Sequence, residues 1–220
     1  MELQGLTINF LGDSITEGVG ASCPETRYHA VFAKMAGVKE VRNYGISATR
    51  FALQKGTVER PKNDTIDVQS FVERYETMAD ADAVVVFGGT NDFGHGDAPF
   101  GTMADRTPDT FYGACHTLFR GLVKKYIGKP VIIMTPTHRT EEVRFLPDDK
   151  TQVRHLKSYV DAIRQVAEYY SLPVLDLYAT SGIQPQIDEV KALYMPDGLH
   201  PNDKGNQVIA QKLYAFMKAL

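Results

Sequence analysis

Two short segments at opposite ends of the sequence carry groups that can do chemistry together. The first, Gly12-Asp13-Ser14-Ile15-Thr16-Glu17-Gly18, follows an apolar run and puts a serine where a strand would end. A serine hydroxyl is a weak nucleophile at neutral pH, so it acts only with a neighbouring base and with donors to the oxyanion it creates. Read alone, Gly-Asp-Ser is also a common turn or helix cap. The second segment, Met195-Pro196-Asp197-Gly198-Leu199-His200-Pro201-Asn202, supplies a candidate base in His200, because imidazole titrates close to neutrality. Asp197 is near enough in sequence to orient that ring and to stabilise the imidazolium that proton transfer creates. A histidine beside a proline is otherwise an incidental surface residue.

Two more segments offer hydrogen-bond donors. Asn43-Tyr44-Gly45-Ile46-Ser47-Ala48 places Gly45 at a strand-to-loop junction, where its N–H can face a cleft or where the glycine simply makes a turn. Val86-Phe87-Gly88-Gly89-Thr90-Asn91-Asp92 ends another apolar run, and the Asn91 amide can donate to an oxyanion or belong to an Asx turn.

These segments need a scaffold, and the pattern of the chain predicts one. Strand-like runs at Leu6 to Gly12, Val38 to Tyr44, Ala83 to Phe87, Pro130 to Met134 and Pro173 to Leu177 alternate with amphipathic stretches. Helices are expected over Arg27 to Met35, Val68 to Met78, Thr107 to Tyr126, Thr151 to Tyr170 and from Asp203, a candidate cap, to the C-terminus. Such alternation argues for a parallel sheet, and the unbroken apolar runs Ala83 to Phe87 and Val131 to Met134 for strands covered on both faces. The fold class is therefore α/β, a three-layer α/β/α sandwich. Ligands in open sheets of this kind bind at the carboxyl ends of the strands. Two long loops, Phe93 to Arg106 and Thr135 to Lys150, leave from those ends.

Composition narrows the function classes. The 220 residues carry a formal charge of −3 with no basic block, which argues against nucleic acid as a partner. The length fits one domain spanning residues 1–220. Cys23 and Cys115 read as free thiols. His29, His95, His116, His138 and His155 are scattered singles, so neither a metal nor another cofactor is expected. No apolar run is long enough to span a membrane and the first residues do not read as a signal peptide, which makes the cytoplasm the default location; a sequence trimmed of its signal would look the same.

The block around Ser14, the glycine block at Gly45, the Gly-x-x-Asn of Gly88 and Asn91, and the Asp-x-x-His of Asp197 and His200 occur in an order that resembles the SGNH hydrolases, the GDSL esterase and lipase family. The resemblance implies Ser14 as nucleophile, His200 as base and Asp197 as its orienting acid. It further implies an oxyanion hole formed by the Ser14 N–H, the Gly45 N–H and the Asn91 amide. The implied fold is a flavodoxin-like sandwich with five parallel strands ordered 2-1-3-4-5. The implied activity is hydrolysis of a small carboxylic ester through an acyl-enzyme, as in carbohydrate O-acetylesterases; lysophospholipase or thioesterase action on longer acyl chains, and acyl transfer to an acceptor other than water, use the same residues. From a different class, a non-catalytic carbohydrate-binding protein would keep the fold but be free to lose the site. Asp13, Arg50, Phe93, Phe100, His138 and Arg139 are the candidates for contacting substrate, while the aromatic residues among them equally read as anchors for the long loops.

Overall fold

The computed structural model describes residues 1–53, 58–59, 65–66, 69–96, 98–145 and 153–220. Five parallel strands, β1 (Thr7–Gly12), β2 (Glu40–Gly45), β3 (Ala83–Phe87), β4 (Val131–Met134) and β5 (Val174–Leu175), form one sheet in the order β2-β1-β3-β4-β5. This is the expected α/β arrangement. Helices α2 (Tyr28–Ala36) and α9 (Asp203–Ala219) cover one face. Helices α3 (Phe71–Arg74), α5 (Phe111–Lys125) and α6 (Leu156–Tyr169) cover the other.

The apolar runs follow from this burial. Val84, Val86, Val131 and Ile133 enter the core under α5 and α6, while Ala83, Val85, Phe87, Ile132 and Met134 enter the core under α2 and α9. Alternate side chains of one strand thus serve different layers. A fully buried Val or Phe contributes about 1.5–3 kcal/mol, so the central strands anchor the loops that leave them.

Gly12 lies opposite both Gly45 and Phe87, Phe87 opposite Met134, and Met134 opposite Leu175. All five strands therefore stop at one level. The segments holding Ser14, Gly45, Asn91 and His138 all leave from that edge.

Several boundaries differ from expectation. The helix expected over Val68 to Met78 is only α3 followed by a 3-10 turn, Tyr75–Thr77; Val68 lies outside the described residues. Thr77 Oγ1 donates to the Arg74 carbonyl at 2.9 Å, competing with a further α-helical turn. The helix expected from Thr151 begins at Leu156, since Val153–His155 pairs antiparallel with Val143–Phe145. Thr151 and the last residues of the loop expected to run to Lys150, 146–150, lie outside the described residues. Asp203 does not cap α9. It accepts from Ser22 N and Oγ at 2.8 and 2.6 Å, and Asn202 Oδ1 caps the helix through Gly205 N at 3.1 Å. Short helices α1 (Ser14–Glu17), α4 (Thr90–His95), α7 (Leu177–Thr180) and α8 (Asp188–Tyr194) were not expected. Cys115 is buried in α5 and Cys23 is exposed. Among the described residues no helix is long and apolar enough to cross a membrane.

Candidate active site

Ser14 is the first residue of α1, immediately beyond β1. Asp13 Oδ1 accepts from Ile15 N at 3.0 Å and so starts the helix. The helix fits tightly over the strand ends because Gly12 and Gly45 lack side chains. A Cβ at Gly12 would meet the Thr16 side chain, and one at Gly45 the backbone of Glu17. The serine is only 7% exposed, and its Oγ lies 2.9 Å from His200 Nε2.

His200 is held by its own loop. Asp197 Oδ1 accepts from His200 N at 2.7 Å and Leu199 N at 2.9 Å, while Oδ2 meets His200 Nδ1 at 2.6 Å. Burial works to raise the Asp197 carboxyl, but those N–H groups and the imidazole together hold it below the ordinary carboxylate value. The carboxylate can therefore stay ionised and fix the ring with Nε2 towards Ser14. A hydroxyl bonded to an imidazole that is backed by a carboxylate is the arrangement that activates serine for attack on a carbonyl.

Asn91 sits in α4, beyond Gly88 and Gly89, 6% exposed. One hydrogen of its amide goes to the Thr49 carbonyl at 3.1 Å, which leaves the second for another acceptor. The Gly45 N–H departs from expectation, because it donates to Asn43 Oδ1 at 2.8 Å. Three residues on, Ala48 takes a left-handed φ of 62°, rare for a residue with a side chain. Its N–H has no acceptor among the described residues. The turn that contains it is tied to both neighbours, through Ile46 N to the Gly12 carbonyl at 3.1 Å and through Thr49 to Asn91. Sequence reasoning missed Ala48 because alanine does not advertise such a backbone.

The profile of the GDSL-like Lipase/Acylhydrolase family matches residues 10–208, a stretch that contains Ser14, Asn91, Asp197 and His200. The chain belongs to this family. A Lactobacillus plantarum protein of solved structure is 31% identical, with a TM-score of 0.81 over 100% of this chain and 98% of that one. A member of the lipolytic G-D-S-L family from Veillonella parvula shares the fold at 18% identity and a TM-score of 0.63, covering 97% and 99% of the two chains. A two-domain esterase active on acetylated mannans also shares it, at 20% identity and a TM-score of 0.65 over 99% of this chain and 49% of that one. No curated protein matches.

Beneath the serine of this GDSL-family chain lies a buried charge cluster. Arg74 donates through Nη2 to the Gly12 carbonyl at 2.7 Å and Thr49 Oγ1 at 2.9 Å, and through Nη1 to the Tyr44 carbonyl. One guanidinium thereby ties the ends of β1 and β2 to the Ala48 turn. Burial lowers its pKa to about 10, against the pull of Asp13 and Glu17. Asp13, a candidate for substrate contact, is instead 1% exposed, and burial raises its carboxyl to about 7. Asp92 accepts from Phe51 N and Ala52 N at 3.0 and 3.1 Å, and burial raises it to about 6. Sequence reasoning missed Arg74 too, since nothing in its neighbours marks three convergent acceptors.

The other candidates for substrate contact divide. Arg50 is 8% exposed and donates to the Ala48 carbonyl at 3.1 Å. Phe93 packs against Tyr159, and Phe100 against Phe111, Tyr112 and Tyr159, so the aromatic pair anchors its loop to the core. Arg139 lies over the Phe93 ring and donates to the Thr90 carbonyl at 3.3 Å; burial lowers its pKa. His138 Nδ1 meets Glu142 Oε1 at 2.6 Å, and the ring lies 3.8 Å from that of Tyr178. The loop carrying both joins the His200 loop through Thr140 N to the Gly198 carbonyl at 2.9 Å. Of the six candidates, His138 and Arg139 are the two that this loop sets between Thr90 and the His200 loop.

Proposed function

We propose that this GDSL-family hydrolase cleaves small esters through Ser14, His200 and Asp197, and that its substrates are acetyl groups on sugar hydroxyls. The observation that carries the serine's role is the 2.9 Å contact between Ser14 Oγ and His200 Nε2, with Asp197 on the far nitrogen. In this mechanism Ser14 Oγ attacks the ester carbonyl as His200 takes its proton, and His200 returns that proton to the departing alcohol. Water then attacks the acyl-enzyme, again giving a proton to His200, and Ser14 recovers it as the acid leaves. The Ser14 N–H, the free hydrogen of the Asn91 amide and the Ala48 N–H receive the oxyanion, with Ala48 in the place first given to Gly45.

The preference for a sugar acetate rests on the polar character of the neighbouring loop, where His138, Arg139, Glu142 and Tyr178 gather. The mannan-active esterase of the same fold gives further support. A second reading, longer acyl chains, draws on the exposed apolar ribbon of Val143, Phe145 and Val153, which are 55%, 67% and 46% exposed. Rates on acetyl and octanoyl p-nitrophenyl esters and on acetylated sugars separate the two. A higher kcat/KM for the octanoyl ester would replace the first reading by the second. Ser14→Ala is expected to abolish turnover in either case with the fold retained, and residual wild-type kcat would remove Ser14 from the mechanism.

A further inference from the structure

The chain carries a net charge of −3, yet one cavity of about 240 Å³ is walled by cations. Arg106, Arg120 and Lys124 line it, together with Tyr75, Tyr170 and His116. It lies against α5, which supplies His116, Arg120 and Lys124. Helices α5 and α6 end shortly before β4 and β5 begin, so Lys124 and Tyr170 belong to the amino edge of the sheet, opposite the edge that holds Ser14. Among the described residues none of the three cations has a carboxylate within 4.0 Å. Asp105, next to Arg106, is engaged by Thr110 Oγ1 at 2.8 Å and Thr102 Oγ1 at 3.1 Å. Arg106 is itself fixed, donating to the Met103 and Asp105 carbonyls at 2.7 and 2.8 Å and lying over the Tyr169 ring.

A second observation points to the same cavity. His116 is 1% exposed, with Nδ1 at 3.1 Å from Tyr170 Oη. Its Nε2 is buried without a hydrogen bond, although the Met103 carbonyl approaches the ring. Burial, followed by the nearby Arg106 charge, keeps the imidazole below its usual pKa and therefore neutral. Where Tyr170 donates to Nδ1, the ring proton sits on Nε2, which is then a donor. A buried polar atom left unpaired beside a cavity is a site where a ligand atom gains a hydrogen bond without displacing a protein partner.

We propose that this cavity binds the phosphate group of a small phosphorylated molecule. A single carboxylate would be balanced by one of the three cations. A phosphate monoester carries a charge of about −1.5 to −2 and three acceptor oxygens, which suits two guanidiniums, an ammonium and a neutral ring donor. The site is independent of the ester chemistry, because it occupies the opposite edge of the sheet.

The test is calorimetric titration of the protein with inorganic phosphate and with pyrophosphate at constant ionic strength. Wild type and Ser14→Ala are expected to show the same single saturable site. The doubly substituted Arg120→Gln/Lys124→Gln protein, altered only at exposed side chains, is expected to bind at least about tenfold more weakly, the loss of a charge-assisted contact. Should that protein misfold, Arg120→Gln alone provides the comparison. Equal affinity in the charge-reduced variant, loss of binding in Ser14→Ala, or no saturable binding up to about 10 mM would each overturn the site.

Discussion

Two histidine–carboxylate pairs lie in neighbouring loops, and only one of them is placed to act on a serine. His200 Nδ1 meets Asp197 at 2.6 Å, and His138 Nδ1 meets Glu142 at the same 2.6 Å. The loops touch through Thr140 and Gly198. They part at the other ring nitrogen. His200 Nε2 reaches Ser14 Oγ at 2.9 Å, while His138 Nε2 meets no hydroxyl among the described residues. The carboxylates differ as well. Glu142 also accepts from Tyr178 Oη at 2.8 Å and Arg139 N at 3.1 Å, which builds a structural node, whereas among the described residues Asp197 bonds only within its own turn and to the His200 ring. An oriented imidazole becomes a general base only where something to deprotonate lies within reach.

Truncating the two rings should give the largest contrast. His200→Ala is expected to lower kcat by on the order of 10⁴-fold or more, and adding Ser14→Ala should cost little further because the two act as a unit. His138→Ala is expected to keep kcat within about tenfold and to change KM, as a residue that meets substrate but not the reacting proton would. Steady-state kinetics on p-nitrophenyl acetate check both, and equal losses in kcat would erase the distinction. The carboxylates should separate along a different axis. Asp197→Ala is expected to reduce kcat by about 10³-fold with little change in stability, given that its side chain is 53% exposed. Glu142→Ala should cost about 1 kcal/mol of stability, by urea denaturation, because it leaves half-buried donors without their acceptor. Asn91→Ala, which removes a proposed oxyanion donor, is expected to lower kcat by about 10²-fold with KM nearly unchanged.

What was legible in the sequence follows from the same contrast. In the proposed mechanism Ser14, Asn91, Asp197 and His200 act through side chains whose types announce their chemistry, and each follows or precedes an element that the apolar pattern reveals. The order of the strands came with the family resemblance, and the continuous burial of β3 is why its pattern was easy to read. Ala48 was invisible because its proposed contribution is a backbone direction, and Arg74 because its role depends on Gly12, Tyr44 and Thr49 meeting in space. Phe93 and Phe100 look alike in sequence whether they line a cleft or pin a loop, and only their packing on Tyr159 decides it.

Asp13 gives the smallest expected effect on turnover and the sharpest test of how the site is built, since it is a carboxylate at this edge with no histidine to hold. Burial lifts its carboxyl to about 7 in the folded protein, whereas the unfolded chain titrates near the ordinary value of about 3.9. Between those limits the folded state binds the extra proton, so this residue's contribution to stability falls as pH rises from about 4 to about 7 and is level above that. Asp13→Asn keeps an oxygen for Ile15 N and removes the titration. Relative to wild type, the variant should therefore gain stability progressively across that window and hold a constant advantage at higher pH, with Asp92 titrating alike in both. Urea midpoints measured from pH 4 to pH 8 read the difference directly. A difference that stays flat with pH would mean that Asp13 is ionised throughout, its charge balanced by Arg74, and that the clamp beneath the serine is a true ion pair.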